Sequence, residues 1–126
     1  MQQQQHTLAF KTIDDADELT EAFKDTTTPL LVQFSAVWCR RCGTLKEEIV
    51  EGFTSDEFRW VVVDVDDHDE IRERFQVTTM PRLDLHIGGK RIELSGFDAT
   101  VQRLKSALET EKAGQVSRTL VLTDDF

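Results

Sequence analysis

Two short apolar runs separated by an amphipathic segment constrain the fold of this chain most strongly. The runs Leu30–Phe34 and Arg59–Val63 are rich in apolar residues and nearly continuous, as expected for strands that are covered on both faces. Between them, Leu45, Ile49 and Phe53 recur at helical spacing. Because strands that alternate with helices are joined by parallel crossovers, this pattern predicts an α/β sheet.

The flanking segments add further elements to this unit. Thr7–Ile13 alternates weakly and predicts a first strand, after which Asp14 or Asp15 can cap a helix. After Pro81 the apolar and polar residues alternate on both sides of Gly88-Gly89, which is typical of an antiparallel hairpin with one covered face. A final helix is marked by Val101, Leu104 and Leu108. The predicted order is β-α-β-α-β-α-β-β-α, a mixed central sheet with helices on both faces.

Length and charge limit what the chain can do. Its 126 residues suit one domain, expected over residues 7–112. The Gln-rich residues 1–6 are expected to be disordered, and residues 113–126 to form a tail or an added edge strand. The formal charge of −9 argues against binding to nucleic acid or to an anionic membrane surface. No apolar run approaches the ~20 residues of a membrane helix.

Both cysteines of the chain lie in one short string, Trp38-Cys39-Arg40-Arg41-Cys42, directly after an apolar strand and directly before an amphipathic helix. Unpaired backbone N–H groups and the positive end of the helix dipole stabilise an anion at the first turn of a helix. A thiolate at Cys39 is therefore favoured, and Arg40 and Arg41 add two positive charges nearby.

The spacing of the cysteines predicts thiol–disulfide exchange. Cys42 lies three residues after Cys39, so it faces the same side of the helix and can reach the first sulfur. Cys39 would attack a substrate disulfide, and Cys42 would resolve the mixed disulfide that forms. The alternatives are a structural cysteine pair, a zinc site and an iron–sulfur cluster that bridges two chains. A zinc site would need two further ligands, and the chain has no other cysteine.

Three features in order resemble the thioredoxin family. They are W-C-x-x-C between a strand and a helix, Met80-Pro81 at the start of the fourth strand, and the Gly-Gly hairpin with Gly96 after it. The resemblance extends from Leu8 to Glu111. It implies a thioredoxin fold and a protein dithiol–disulfide oxidoreductase that needs no organic cofactor and no metal.

The resemblance also implies a substrate groove beside the dithiol. In the family, the proline that matches Pro81 is cis, so a cis Met80–Pro81 bond is expected, with Met80 offering backbone groups to an extended substrate segment. Trp38 would flank the site as an apolar docking surface, and Gly96 would line the same groove.

Several positions depart from the thioredoxin pattern. Arg40-Arg41 replaces the usual Gly-Pro between the cysteines, and Arg82 replaces the Thr usual after the cis proline, which places a third Arg near the site. Gln33 stands where the family has a buried Asp and Val62 where it has a Lys, two residues that help to deprotonate the resolving cysteine.

These departures lead to an expected redox character. Arg40, Arg41 and Arg82 would stabilise the Cys39 thiolate, with Gln33 as a further tuning residue. Stabilising the reduced form makes the disulfide a stronger oxidant, so the protein is expected to be less reducing than ordinary thioredoxins and to favour anionic partners.

The resemblance implies partners and a location as well. The expected partners are disulfide-containing protein substrates and a reductase or small thiol that donates electrons to a monomeric protein. Two cysteines and an acidic balance suit the cytoplasm, with an organelle matrix as the alternative. The residues at Gln33, Val62 and Arg82 leave a second interpretation open, a redox sensor or partner-binding module with weak general reductase activity.

Overall fold

The computed structural model describes residues 7–124, with side chains described for residues 7–114. Its elements follow the predicted order β-α-β-α-β-α-β-β-α. The strands are β1 (Lys11–Thr12), β2 (Leu30–Ser35), β3 (Arg59–Asp64), β4 (Arg82–Ile87) and β5 (Lys90–Ser95). The helices are α1 (Ala16–Lys24), α2 (Arg40–Gly52), α3 (Asp69–Arg74) and α4 (Val101–Asp124), with a short 3₁₀ turn at Gly96–Asp98. Within the described residues, no helix has the length and apolar character needed to cross a membrane.

The sheet has the strand order β1-β3-β2-β4-β5. Strands β1, β3 and β2 are parallel, whereas β4 runs antiparallel to both β2 and β5. Phe34, near the end of β2, lies opposite Arg82 at the start of β4. The end of β2, which leads into α2, therefore meets the start of β4 at one edge of the sheet.

Two apolar layers cover the sheet. One layer joins Leu31 and Leu85 of the strands to α2 and α4 through Leu45 and Leu104. The other joins the strands to α1 and α3, and its buried members include Leu19, Val32, Phe34 and Ile71. Because both faces are covered, all six residues of β2 are buried, as its apolar sequence predicts.

The structure differs from the sequence prediction at both ends of the domain. β1 spans two residues, Lys11–Thr12, rather than Thr7–Ile13, because it pairs only with β3 at the edge of the sheet. α4 continues to Asp124, so the described part of residues 113–126 is helical rather than a tail or an edge strand. Helical hydrogen bonds join residues close in sequence, so α4 extends without a partner from the sheet. Residues 1–6 lie outside the described residues, and the domain limit at residue 112 stays a prediction.

The hairpin is also covered more completely than expected. The alternation after Pro81 predicts one covered face, yet β4 is buried on both faces. Arg82 is 2% exposed and Asp84 is fully buried, although both occupy the polar positions of the alternation. β4 lies between β2 and β5, so helices cover both of its faces.

Candidate active site

Cys39 and Cys42 are joined by a disulfide bond, with their Cα atoms 5.3 Å apart. Cys39 is the N-cap residue of α2, and its Sγ accepts a hydrogen bond from the backbone N–H of Cys42 at 3.2 Å. Cys39 is partly exposed, whereas Cys42 is fully buried. One sulfur can therefore be reached from solvent, and the other is shielded behind it.

A short turn sets the position of Cys39 above the sheet. The backbone N–H of Cys39 donates to the carbonyl of Ala36 at 3.1 Å, so the chain reverses directly after β2. The carbonyl of Ser35 accepts from the N–H of Val65 at 2.9 Å, which ties the end of β2 to the end of β3. The sulfur at the helix N-cap thus faces the backbone N–H groups that stabilise a thiolate, as the sequence predicts.

A neutral polar chain lies beneath the dithiol. The side-chain amide of Gln33 is fully buried, and its Nε2 donates to the carbonyl of Cys42 at 3.2 Å. Its Oε1 accepts from the indole Nε1 of Trp60 at 3.3 Å. Val62, opposite Gln33 in the register of β2 and β3, belongs to the apolar layer around this amide. Gln33 therefore fixes the backbone of Cys42 but supplies neither a charge nor a proton acceptor of the carboxylate kind.

Two of the residues expected in the substrate groove, Pro81 and Gly96, lie side by side. The Met80–Pro81 peptide bond is cis. The carbonyl of Pro81 accepts from the N–H of Gly96 at 3.0 Å, so Gly96 lies beside the proline. Gly96 has a φ of +62°, and a Cβ there would lie 3.2 Å from Cγ2 of Thr79. Both observations favour glycine, because other residues rarely adopt this φ and the approach is tight.

Met80 lies directly before the cis proline. It is partly buried against the same apolar layer as Cys39. Because Phe34 lies opposite Arg82 in the antiparallel pair β2–β4, the residues before Arg82 lie at the same end of the sheet as the residues after Phe34.

Trp38 is held in place while its ring stays open to solvent. It is 62% exposed, and its indole Nε1 donates to Oδ2 of Asp66 at 2.7 Å. Asp66 is not among the site residues that the sequence predicts. A signal was available, because Asp66 follows β3, and the carboxyl ends of adjacent parallel strands lie at one edge of a sheet.

Two further apolar residues, each next to a motif residue in the sequence, are exposed. Val37 is 91% exposed directly before Trp38, and Phe97 is fully exposed directly after Gly96. Large apolar side chains grouped at an exposed surface commonly mark a site of protein contact. Neither residue has a sequence signal beyond its position next to a motif residue.

The three predicted arginines differ in their surroundings. Arg40 and Arg41 are exposed in the first turn of α2, and Nη1 of Arg41 forms an ion pair with Oε1 of Glu48 at 3.2 Å. The sequence predicts Arg82 as a third arginine near the site, and the structure shows that its side chain is buried. Its guanidinium is buried against Asp84 on the α1/α3 side of the sheet, because Arg82 alternates with the inward-facing Leu83 of the opposite layer. Arg82 therefore offers no exposed charge to a substrate.

The described residues contain no group of three or more His, Cys, Asp or Glu that could hold a metal ion. The chemistry visible in this part of the chain is that of the sulfur pair and the surface around it.

Comparison with known proteins places the chain in a family. The thioredoxin family model matches residues 10–110. Thioredoxin H2-1 of Oryza sativa subsp. japonica is 35% identical over 100 residues, which covers 72% of this chain and 71% of the relative.

Solved structures show the same fold. Thioredoxin O1 from Arabidopsis thaliana in the oxidised state aligns with a TM-score of 0.69 at 24% identity, covering 81% of this chain and 96% of the other. Mitochondrial thioredoxin 3 from Saccharomyces cerevisiae, also oxidised, aligns with a TM-score of 0.67 at 22% identity, covering 80% and 94%. The chain belongs to the thioredoxin family of thiol–disulfide oxidoreductases, and Cys39 and Cys42 form its redox-active pair.

Proposed function

We propose that this protein reduces disulfide bonds in protein substrates, with Cys39 as the attacking thiol and Cys42 as the resolving thiol. The observation that carries this assignment is the difference in exposure between the sulfurs, since Cys42 is fully buried and Cys39 is partly exposed. The N-cap position adds to it, because the thiolate form of Cys39 is the one that the backbone N–H of Cys42 would stabilise.

The proposed reaction proceeds in two exchanges. The Cys39 thiolate attacks one sulfur of the substrate disulfide, and the other substrate sulfur leaves as a thiolate that takes a proton. Cys42 then loses its proton and attacks Sγ of Cys39, which releases the second substrate thiol and leaves the protein disulfide. Two electrons pass from the dithiol to the substrate, and a reductase or small thiol returns them to the protein.

The surface around the dithiol supports an extended protein segment as substrate. Met80, Pro81 and Gly96 form one wall of the groove, and the fixed indole of Trp38 offers an apolar face. Exposed Phe97 extends this surface. We therefore expect substrates with apolar residues near the reactive cysteine. One chain supplies all of these groups, so we propose that the protein acts as a monomer. We also propose that it works in the cytoplasm, with an organelle matrix as the alternative.

A trapping experiment tests the assignment of the two cysteines. Because Cys42→Ser cannot complete the second exchange, the reduced variant should accumulate a mixed disulfide with insulin whose disulfide bonds are intact, seen as a band that thiol reductant removes. Cys39→Ser should form none, since its remaining sulfur is buried. Equal trapping by both variants would contradict the assignment of Cys39 as the nucleophile.

The charges between the cysteines support a preference for anionic partners. Arg40 and Arg41 place two exposed cations at the dithiol of a chain with a net charge of −9. They favour the thiolate and thus the reduced protein, so we expect a reduction potential above the roughly −270 mV of thioredoxin. Because Glu48 partly offsets the charge of Arg41, Arg40→Gln should lower the potential more than Arg41→Gln does. Equilibration with glutathione measures both, and a wild-type potential at or below that of thioredoxin contradicts the proposal.

The neutral amide beneath the dithiol favours a second candidate function. Gln33 cannot accept a proton from Cys42 as a carboxylate would, so resolution of a mixed disulfide could be slow. A slow protein of this kind would serve as a redox sensor or partner-binding module. Insulin reduction with dithiothreitol separates the two functions. Rapid turnover that disappears in Cys39→Ser supports the reductase, whereas negligible turnover with a titratable disulfide supports the sensor.

A further inference from the structure

We propose that Arg82 is a positioning residue that holds the Met80–Pro81 wall of the groove and so determines how well the protein accepts protein disulfides. The proposal rests on the function proposed above and assigns to a buried side chain the part of that function that concerns substrate docking. It replaces the exposed role that the sequence predicts for Arg82.

Arg82 and Asp84 form a buried two-point ion pair on β4. Nε of Arg82 lies 2.8 Å from Oδ1 of Asp84, and Nη2 lies 3.0 Å from Oδ2. The two side chains are 3% and 0% exposed. Two parallel hydrogen bonds fix the plane of a guanidinium, and the ring of Phe34, 5.2 Å from Cζ, lies beside that plane. The Asp84 carboxylate also raises the pKa of Arg82, so the guanidinium stays charged.

The third nitrogen of this fixed guanidinium binds the chain at the end of α3. Nη1 donates to the carbonyl of Phe75 at 2.7 Å and to the carbonyl of Gln76 at 3.1 Å. The last carbonyls of a helix have no partner within the helix and carry its negative end, so a cation there is favourable. Gln76 has a φ of 53°, a left-handed conformation that is uncommon for a residue other than glycine. The contact with Arg82 therefore adds to the local backbone hydrogen bonds that hold this turn.

These contacts tie the two ends of the segment that carries the groove wall. Residues 77–81 connect the turn at Gln76 to Arg82. The side chain of Arg82 returns to this turn, where its Nη1 donates to the carbonyls of Phe75 and Gln76. The backbone N–H of Val77 donates to the carbonyl of Arg72 at 3.0 Å, and the carbonyl of Pro81 accepts from Gly96 at 3.0 Å. The position of Met80 is thus set by Arg82 at one end and by the bond to Gly96 at the other.

The consequence depends on the size of the substrate. A protein segment would lie along the groove, so its binding depends on the position of Met80 and Pro81. A small aromatic disulfide needs only access to Cys39, whose N-cap environment contains no contact with Arg82. Loss of the clamp should therefore raise KM for protein disulfides and leave the reaction with a small disulfide unchanged.

The test uses Arg82→Met combined with Asp84→Leu, which removes the clamp without leaving a buried charge unpaired. Insulin serves as the protein disulfide and 5,5′-dithiobis(2-nitrobenzoate) as the small one. We expect kcat/KM for insulin to fall about tenfold or more, mainly through KM, while the rate with the small disulfide stays within about twofold. Arg91→Gln is the matched control, because Nη1 of Arg91 lies 3.6 Å from Oδ2 of Asp84 but donates to neither turn carbonyl. It should stay near wild type with both substrates.

Arg82→Lys provides a second variant if the double variant does not fold. Lysine keeps a charge beside Asp84 but cannot span the carboxylate and two carbonyls with a planar fork, so the same selective loss for insulin is expected. The inference is overturned if insulin reduction by the folded variant stays near wild type, or if both substrates lose rate in parallel. A wild-type protein that fails to reduce insulin contradicts the proposed function itself, which keeps the two failures distinct.

Discussion

Two buried polar sites lie on opposite faces of the same sheet and are built in opposite ways. On the side covered by α2 and α4, the neutral amide of Gln33 joins Trp60 to the backbone of Cys42. On the side covered by α1 and α3, Arg82 and Asp84 form a buried ion pair that reaches the turn after α3. One site is neutral and lies beneath the dithiol, and the other is charged and lies behind the groove wall.

The difference separates two tasks. A charge beneath Cys42 would shift the pKa of its thiol, whereas a neutral amide fixes the backbone without such a shift. The helix N-terminus and the arginines then remain as the influences on the thiol pKa. A buried ion pair is costly to desolvate, but a two-point guanidinium contact is directional and can hold a turn. The molecule therefore keeps charge away from the resolving sulfur and uses it where a rigid link is required.

Breaking the charged site should give the largest effect. Asp84→Ala leaves the buried guanidinium of Arg82 with the two turn carbonyls and with a single carboxylate partner among the described residues, Glu93, whose Oε1 lies 3.6 Å from Nη2. We expect the free energy of unfolding to fall by about 3–5 kcal/mol, measured by urea denaturation. Glu93→Gln removes the more exposed of the two carboxylates and should change stability by less than about 1 kcal/mol. Equal losses for the two variants would show that the buried carboxylate of Asp84 stabilises the fold no more than the exposed carboxylate of Glu93 does.

Breaking the neutral site should give an intermediate effect. Gln33→Leu leaves the indole N–H of Trp60 and the carbonyl of Cys42 without the partners that Gln33 provides. The expected loss is about 1–3 kcal/mol in the same denaturation experiment, because unsatisfied neutral groups cost less to bury than an unpaired charge. If Gln33→Leu lowered the free energy of unfolding as much as Asp84→Ala does, the neutral and the charged site would not differ in their contribution to stability.

The smallest effect concerns His86, the next polar residue along β4 after Arg82 and Asp84. Its ring lies 4.7 Å from the ring of Phe23, and its Nε2 is buried without a hydrogen-bond partner among the described residues. Burial lowers the pKa of His86 below its ordinary 6.5, although the charge of Asp84 acts in the opposite direction.

The sign of the resulting pH dependence follows from proton binding. Between the lowered pKa of folded His86 and 6.5, the unfolded chain binds more protons, so stability falls as pH drops through this window. His86→Phe should therefore gain stability relative to the wild type at acidic pH and show little difference above neutral pH. Parallel stability curves for the two proteins between neutral and acidic pH would contradict this assignment.

Much of the fold could be predicted from local sequence patterns. The apolar runs of β2 and β3 and the helical spacing in α2 are properties of adjacent residues, and each element lies where these patterns predict it. The length of β1 depends on pairing with β3, which a short window of sequence does not encode.

The candidate site divides in the same way. The bonded cysteines and the cis proline beside Gly96 belong to motifs, so the sequence could predict both features. Arg82 could not be placed by proximity to Pro81, because side-chain alternation and the covered face of β4 turn it toward Asp84. Asp66 was missed because its role is to hold Trp38 across a sequence separation of 28 residues.

We infer that the start of α2 lowers the pKa of the Cys39 thiol, whereas Gln33 adds no charge beneath it. Titration of the reduced Cys42→Ser variant by thiolate absorbance at 240 nm tests this directly, since Cys39 is then the only thiol in the chain. We expect a midpoint clearly below the value of about 8.5 for a free cysteine. A midpoint at or above that value would contradict it.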